Sequence, residues 1–453
     1  MPFHPVTEEW DADLTAGNPL GFPGYGDRPP ELGESVRTGR TAAYAFVEGR
    51  FDVIGGSMGA AAGEKVVRAY DRAIEARLPM VVHTRTGGAR VQEGMVALVQ
   101  LARTASAARR HADAGLLSLG VYGSPTTGGV FASYGSLVDL KVAYPRAILG
   151  FAGPRVAEGT LGITLPPGSH TARWAFDHGL LDGLVEPEDA PAWVDAALGH
   201  RDRPLPTRPL PTWSDPGEPG AWGEVLRARA VGRPTGVDRA ARLCSSWVEA
   251  RGLDPTVRAA LATVAGRRCV VVATDRYRGP GRPTPDGFRL AQRAVGLASR
   301  LGLPLLTLVD TPGADPSPEA EADGIGPEIA ATFAAFAACP TPIVSVCVGE
   351  GGSGGALALS FADRLLMSEH AVFSVITPEG AAAILERDVA AAPRVADMLR
   401  LTSADMAELG IVDQVIPEGQ SALDAAVAKA LDEAVPGDRH RRFDAATARW
   451  ILP

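Results

Sequence analysis

Lysine is nearly missing from this chain of 453 residues. Lys65, Lys141 and Lys429 are its three lysines, and arginine supplies every other positive charge. Cysteine is scarce too, with Cys244, Cys269, Cys339 and Cys347. None belongs to a C-x-x-C pair, which argues against a four-cysteine zinc site, and no metal is expected. Cys269 and Cys347 lie in apolar, strand-like runs and read as buried thiols. A basic excess is absent as well. The formal net charge is −9, which speaks against nucleic acid or an anionic membrane as partner. A local basic patch for a polyanionic small molecule stays open. No apolar run reaches the ~18 residues of a membrane span. Met1–Leu14 lacks the apolar core of a signal peptide, so a cytoplasmic location is expected. No G-x-x-x-x-G-K-[ST] motif accompanies Asp310-Thr311-Pro312-Gly313, which argues against a nucleoside triphosphatase.

Glycine and proline are plentiful, at 52 and 37. Six prolines between 204 and 219 mark residues 201–223 as an extended linker. It separates an N-terminal domain, 1–200, from a C-terminal domain, 224–453. The two halves look like a repeat. Leu78-Pro79-Met80 leading to Thr86-Gly87-Gly88 matches Leu303-Pro304-Leu305 leading to Thr311-Pro312-Gly313, 225 positions later. Thr126-Thr127-Gly128-Gly129-Val130 matches Gly352-Ser353-Gly354-Gly355-Ala356 at an offset of 226. Asp177–Val185 matches Glu408–Ile416 at 231. Short apolar runs such as Leu116–Tyr122, Ile148–Phe151, Val270–Ala273, Leu305–Val309 and Ile343–Val348 read as strands. Val66, Tyr70, Ala73 and Ile74, and Phe288, Ala291 and Val295, follow helical spacing. Their alternation predicts an α/β fold in each half.

In each half a glycine pair sits between a strand and a helix, with the helices predicted to start near Val130 and Ala356. Such a turn presents unpaired amides backed by the positive end of a helix dipole. Without Cβ atoms a carbonyl can approach closely, as an oxyanion hole requires. One such pair is more often a tight turn. Its recurrence at matched places in both halves favours Gly128, Gly129, Gly354, Gly355 and Ala356 as two anion-stabilising sites.

The motifs are specific enough to resemble a known family. Gly55-Gly56-Ser57-Met58-Gly59, Gly63-Glu64-Lys65, Gly87-Gly88-Ala89-Arg90, Thr126–Gly129 and Gly150–Val156 resemble the β subunit of bacterial acetyl-CoA carboxylase carboxyltransferase. Gly281-Arg282-Pro283, Asp310–Ala314, Gly349–Ala356 and Ile376–Gly380 resemble its α subunit. The resemblance runs from Asn18 to Pro417. It implies two duplicated crotonase-like domains built of β-β-α spiral units. It also implies a homo-oligomer in which the N-half of one protomer faces the C-half of another. By that resemblance Gly128 and Gly129 hold the enolate of an acyl-CoA thioester. Gly354, Gly355 and Ala356 hold the ureido oxygen of biotin. CO2 passes from carboxybiotin to the α-carbon of acetyl-CoA or another short acyl-CoA, and the biotin nitrogen takes the α-proton. The product, malonyl-CoA or its homologue, feeds fatty acid biosynthesis. Gly87, Gly88, Arg90, Gly153, Arg155 and Lys65 are the candidate CoA-binding residues.

The chain also departs from the family. It begins about where the zinc ribbon of many β subunits would end. None of its lysines has the methionine-flanked context of biotin attachment, and no ATP-grasp segment occurs. A biotin carboxyl carrier protein and a biotin carboxylase are therefore expected as separate partners. His83-Thr84-Arg85 is more polar than expected for the family, which leaves room for a changed acyl substrate. The runner-up reading is a biotin-independent malonyl-thioester decarboxylase or a specialised acyl or carbamoyl transferase. A non-catalytic scaffold is more remote. Gly351-Gly352-Ser353-Gly354-Gly355 also satisfies G-x-S-x-G, so a serine hydrolase would use Ser353 with Asp363 or Asp388 and His370 or His440. Ser353→Ala would abolish a hydrolase and spare a carboxyltransferase.

Overall fold

The computed structural model describes residues 2–26 and 32–451. The chain divides into two compact units, Met1–Arg201 and Asp202–Pro453. The first holds β1 (Glu8–Trp10), β2 (Val36–Arg40), β3 (Ala45–Gly49), β4 (Met80–Thr86), β5 (Ser118–Thr127), β6 (Leu140–Ala143), β7 (Leu149–Gly150) and β8 (Gly183–Leu184). The second holds β9 (Cys244–Ala250), β10 (Val257–Val264), β11 (Arg267–Thr274), β12 (Leu305–Thr311), β13 (Ile343–Gly352), β14 (Arg364–Ser368), β15 (Val372–Ser374) and β16 (Gln414–Ile416).

The two sheets are copies of one another. The first runs β1-β2-β3-β4-β5-β6-β8, with β7 paired to β5 off this path. The second runs β9-β10-β11-β12-β13-β14-β16, with β15 paired to β13. In each, the first two pairings are antiparallel and the rest parallel. Parallel neighbours need crossovers, and helices such as Ala60–Glu75 and Pro285–Leu301 supply them. Both bury an apolar face, with Val66, Ala69, Tyr70 and Ala73 on one and Phe288, Ala291, Ala294 and Val295 on the other. Even the loop anchors repeat. Asp139 accepts from the Ser118 amide at 2.7 Å, as Asp363 does from Ile343 at 2.9 Å. Asp182 accepts from the Lys141 amide at 2.8 Å, and Asp413 does so from Leu365 at 2.7 Å.

The register corrects the repeat alignment by one residue. Met80 pairs with Ser118 and Thr86 with Thr126; Leu305 pairs with Ile343 and Thr311 with Gly351, 225 positions later throughout. Gly128 is therefore equivalent to Ser353, and Gly129 to Gly354. The expected strand ends also shift. β5 and β13 run through the predicted turns because each changes partner midway. Leu119–Tyr122 pair with β6 and Thr126–Thr127 with β7. Val344–Cys347 pair with β14 and Glu350–Gly352 with β15. The helices start at Gly128 and Ser353, earlier than expected.

The proline-rich segment is not a free tether over its whole length. Leu205 is buried in the apolar core of the second unit. Arg208 donates to Asp238 at 2.8 and 2.9 Å and to Asp275 at 3.0 Å. The helix Gly220–Arg229 begins inside the expected linker.

Candidate active site

Each unit builds one turn of the same design. In the first, the chain leaves β5 at Thr127 and enters a helical turn at Gly128, whose φ is +67°. A Cβ there would lie 2.5 Å from the Gly88 Cα, and one on Gly88 (φ +112°) 3.1 Å from the Gly128 Cα. Only glycine permits both the backbone angle and the approach. The fold thus brings Gly87-Gly88 and Gly128-Gly129 together. The Gly87 amide donates to Gly55 at 2.8 Å, and the Met58 amide to Gly88 at 2.8 Å, which ties the Gly55–Met58 loop beneath.

The Gly128 amide donates to the Phe151 carbonyl at 2.8 Å. Gly128 is therefore corrected from an oxyanion donor to the hinge of the turn. The amides of Gly129 and Val130 follow in the first helical turn, where no preceding i−4 carbonyl exists for them. The segment after Phe151 continues to Gly153, which caps the helix Pro154–Leu161, and to Arg155, which is exposed.

In the second unit Ser353 occupies the hinge at φ +56°. A non-glycine residue there costs about 1 kcal/mol or more of backbone strain. Gly354, Gly355 and Ala356 follow in the first turn of the helix Ser353–Ser360. Gly355 packs tightly, since a Cβ on it would lie 2.5 Å from the Ala314 nitrogen. At Gly354 the Cβ direction is open, with nothing within 4 Å. Gly313 (φ +124°) takes the place of Gly88 beneath the turn.

Buried and half-buried ion pairs hold both turns. Arg90 is 0% exposed, and its guanidinium donates to Glu34, to Glu93 at 3.1 Å, to Ser35 Oγ at 2.8 Å and to the Ser57 carbonyl at 2.7 Å. Against the pull of burial, Glu34 holds this guanidinium above its usual pKa. Arg90 is therefore corrected from a CoA-phosphate ligand to a strut under the Gly55–Ser57 loop. Lys65, 2% exposed and with its pKa lowered by burial, is corrected from a CoA ligand to a buried side chain of the helix Ala60–Glu75. Beneath the second turn, Arg229 donates to Glu350 at 2.7 Å and Glu379 at 2.6 Å. Arg276 donates to Glu350 at 2.9 Å and Asp310 at 3.2 Å. Asp310 also accepts from the Glu350 amide at 2.9 Å. Burial pushes its carboxyl above the usual range, against the charge of Arg276. Sequence reasoning quoted Asp310 and Glu350 inside their motifs without giving them this work. The signal was available: two acids at strand ends that should otherwise be apolar.

Packing accounts for two residues of the polar run before the first glycine loop, His83 and Thr84, while Arg85 is exposed. His83 is buried, with Nε2 3.3 Å from the Tyr144 hydroxyl, and burial pushes its pKa down to about 3. Thr84 and Thr126 share a hydroxyl hydrogen bond of 2.9 Å. The hydrolase partners are dispersed. Asp363 is bonded to Arg439 at 2.7 Å, His370 to Glu224 at 2.9 Å, and Asp388 caps a short helix at Ala390. His440 packs edge-on against Phe361. Among the described residues no histidine or carboxylate hydrogen-bonds to Ser353, which loses the nucleophile reading.

The chain can be set beside known proteins. Residues 219–437 match the acetyl co-enzyme A carboxylase carboxyltransferase-like family, and residues 33–173 match the carboxyl transferase domain. The acetyl-coenzyme A carboxylase carboxyl transferase subunits beta/alpha of Salinispora arenicola is 43% identical over 414 residues, 85% of this chain and 72% of that protein. The probable biotin-dependent acyl-coenzyme A carboxylase beta3 subunit of Mycobacterium bovis is 38% identical over 414 residues, 88% and 83% of the two chains. The transcarboxylase 12S crystal structure, a hexamer with methylmalonyl-coenzyme A bound, superposes with a TM-score of 0.77 at 22% identity. That match covers 95% of this chain and 88% of the other. The fold is thus the duplicated crotonase-like fold, and the chain belongs to the carboxyltransferase family of acyl-coenzyme A carboxylases.

Proposed function

We propose that this chain is the carboxyltransferase component of a biotin-dependent acyl-CoA carboxylase. It moves a carboxyl group from biotin on a separate carrier to the α-carbon of a short acyl-CoA. The observation that carries the reading is the strand-to-helix turn built twice, at equivalent positions, over a glycine loop. In the first unit the amides of Gly129 and Val130 receive the thioester oxygen as it gains enolate charge. One such donor is worth about 10²–10³ in rate. In the second, the amides of Gly354, Gly355 and Ala356 receive the ureido oxygen, and the space a Gly354 Cβ would fill suits a flat ring. Biotin, when bound, supplies the carboxyl group and a ring nitrogen that accepts the α-proton. No ionisable side chain of the protein is then required at the reacting carbon, and Asp310 and Glu350 stay committed to their arginines.

The exposed Arg155 is the remaining candidate for a CoA phosphate, with Gly87, Gly88 and Gly153 shaping the approach. Arg155→Ala is expected to raise the KM for acyl-CoA about threefold at low salt. It should leave kcat and the unfolding temperature unchanged. A KM unmoved at low ionic strength rejects the assignment.

Exposed apolar side chains support a homo-oligomer joining the first unit of one copy to the second of another. They include Phe151, Val156 and Leu161 in the first unit and Val375, Ile384 and Met398 in the second. A biotin carrier and a biotin carboxylase complete the system, and its malonyl-type product suits fatty acid synthesis. The deciding assay incubates the protein with malonyl-CoA, with and without a soluble biotin derivative. Biotin-dependent loss of the carboxyl group supports transfer. Release of CO2 at the same rate without biotin establishes the decarboxylase instead.

A further inference from the structure

Three arginines gather at the second turn, and one is balanced differently from the others. Arg229 and Arg276 each hold two carboxylates. Arg282 is half-buried, and its Nη1 donates to the Pro312 carbonyl at 3.3 Å. That bond is long for a charged donor. Among the described residues no carboxylate hydrogen-bonds or ion-pairs with Arg282. A guanidinium carries five N–H donors and stays charged, so a half-buried one facing a single neutral acceptor is under-compensated.

Its position is the second observation. The Pro312 carbonyl that Arg282 grips lies directly against Gly352, the last residue before the Ser353 hinge. A Cβ on Gly313 would fall 3.6 Å from Arg282 Nη1 and 3.2 Å from the Gly352 carbonyl. The guanidinium therefore lies within van der Waals reach of Gly313, beside the mouth of the turn.

We propose that Arg282 binds the carboxylate of the group in transit, both before it leaves biotin and after it joins the acyl-CoA. This rests on the carboxyltransferase reading above. The charge balance suits a fixed cation. The N–C bond to the carboxyl group breaks with its electron pair staying on the ring nitrogen, which takes the α-proton. The enolate carbon forms the new C–C bond to CO2, and the displaced C=O pair becomes the product carboxylate. One negative charge therefore sits on the carboxyl group at the start and at the end. A planar guanidinium matches a carboxylate edge to edge.

Titration calorimetry with acetyl-CoA and malonyl-CoA tests this without biotin or turnover. Arg282→Gln, which keeps a donor for Pro312, is expected to weaken malonyl-CoA binding by about tenfold or more and acetyl-CoA by less than about twofold. Arg282→Lys should restore part of the difference. Equal weakening of both ligands means a structural role through Pro312 and overturns the proposal, and so does no change in either. If the parent protein binds neither thioester, the carboxyltransferase reading falls and takes this one with it.

Discussion

A Gly354→Ala protein is expected to lose carboxyl transfer by a factor of about 10²–10³ while unfolding at the parent temperature or slightly above it. The two halves of this expectation have separate causes. Nothing lies within 4 Å of the new methyl group, so the fold has room for it. Alanine is also a better helix residue than glycine, by about 0.5–1 kcal/mol. The space it fills is the space assigned to the ureido ring, whose oxygen would be pushed off the amides. Gly355→Ala is the contrast, because its Cβ would meet the Ala314 backbone at 2.5 Å and must disturb the turn. Activity assays paired with thermal unfolding read both. Full activity in Gly354→Ala would remove this turn from the mechanism.

Glu350→Ala is expected to cost about 3–5 kcal/mol of folding stability, because it leaves Arg229 and Arg276 each short of a buried partner. For a unit of this size that is a fall in unfolding temperature on the order of 10 °C. Transfer should fall with it, since Glu350 opens the segment Glu350–Gly352 that pairs with β15 and leads into the hinge. Glu350→Gln, which keeps the shape and part of the hydrogen bonding, should lose less. Calorimetric unfolding of the two variants is the check. Melting at the parent temperature in Glu350→Ala would mean that the ion-pair network does not support the turn.

Much of this arrangement was readable from residues alone, and the parts that were not share physical reasons. The duplication, the α/β class and the two glycine turns rest on local patterns that survive in one dimension. The one-residue slip arose because Gly128-Gly129 was matched to Gly354-Gly355 by residue type. The fold matches positions by backbone angle, and Ser353 accepts at a cost the left-handed hinge that Gly128 adopts freely. Arg90 stood as a CoA-binding candidate on its motif alone, because Glu34, 56 positions away, is invisible to local spacing. Glu93, three positions on in the next turn, was a clue that spacing did offer. The proline-rich stretch looked like a tether because composition reports stiffness and not anchorage.

That stretch carries a consequence for where the protein can be divided. Arg208 neutralises Asp238 and Asp275, both nearly inaccessible to water, so the segment from Asp202 onward is a structural part of the C-terminal half. A coding sequence split into two polypeptides would have to break upstream of it. Cutting after the last proline instead would strip Asp238 and Asp275 of the Arg208 guanidinium and leave the second unit to fold around an electrostatic fault.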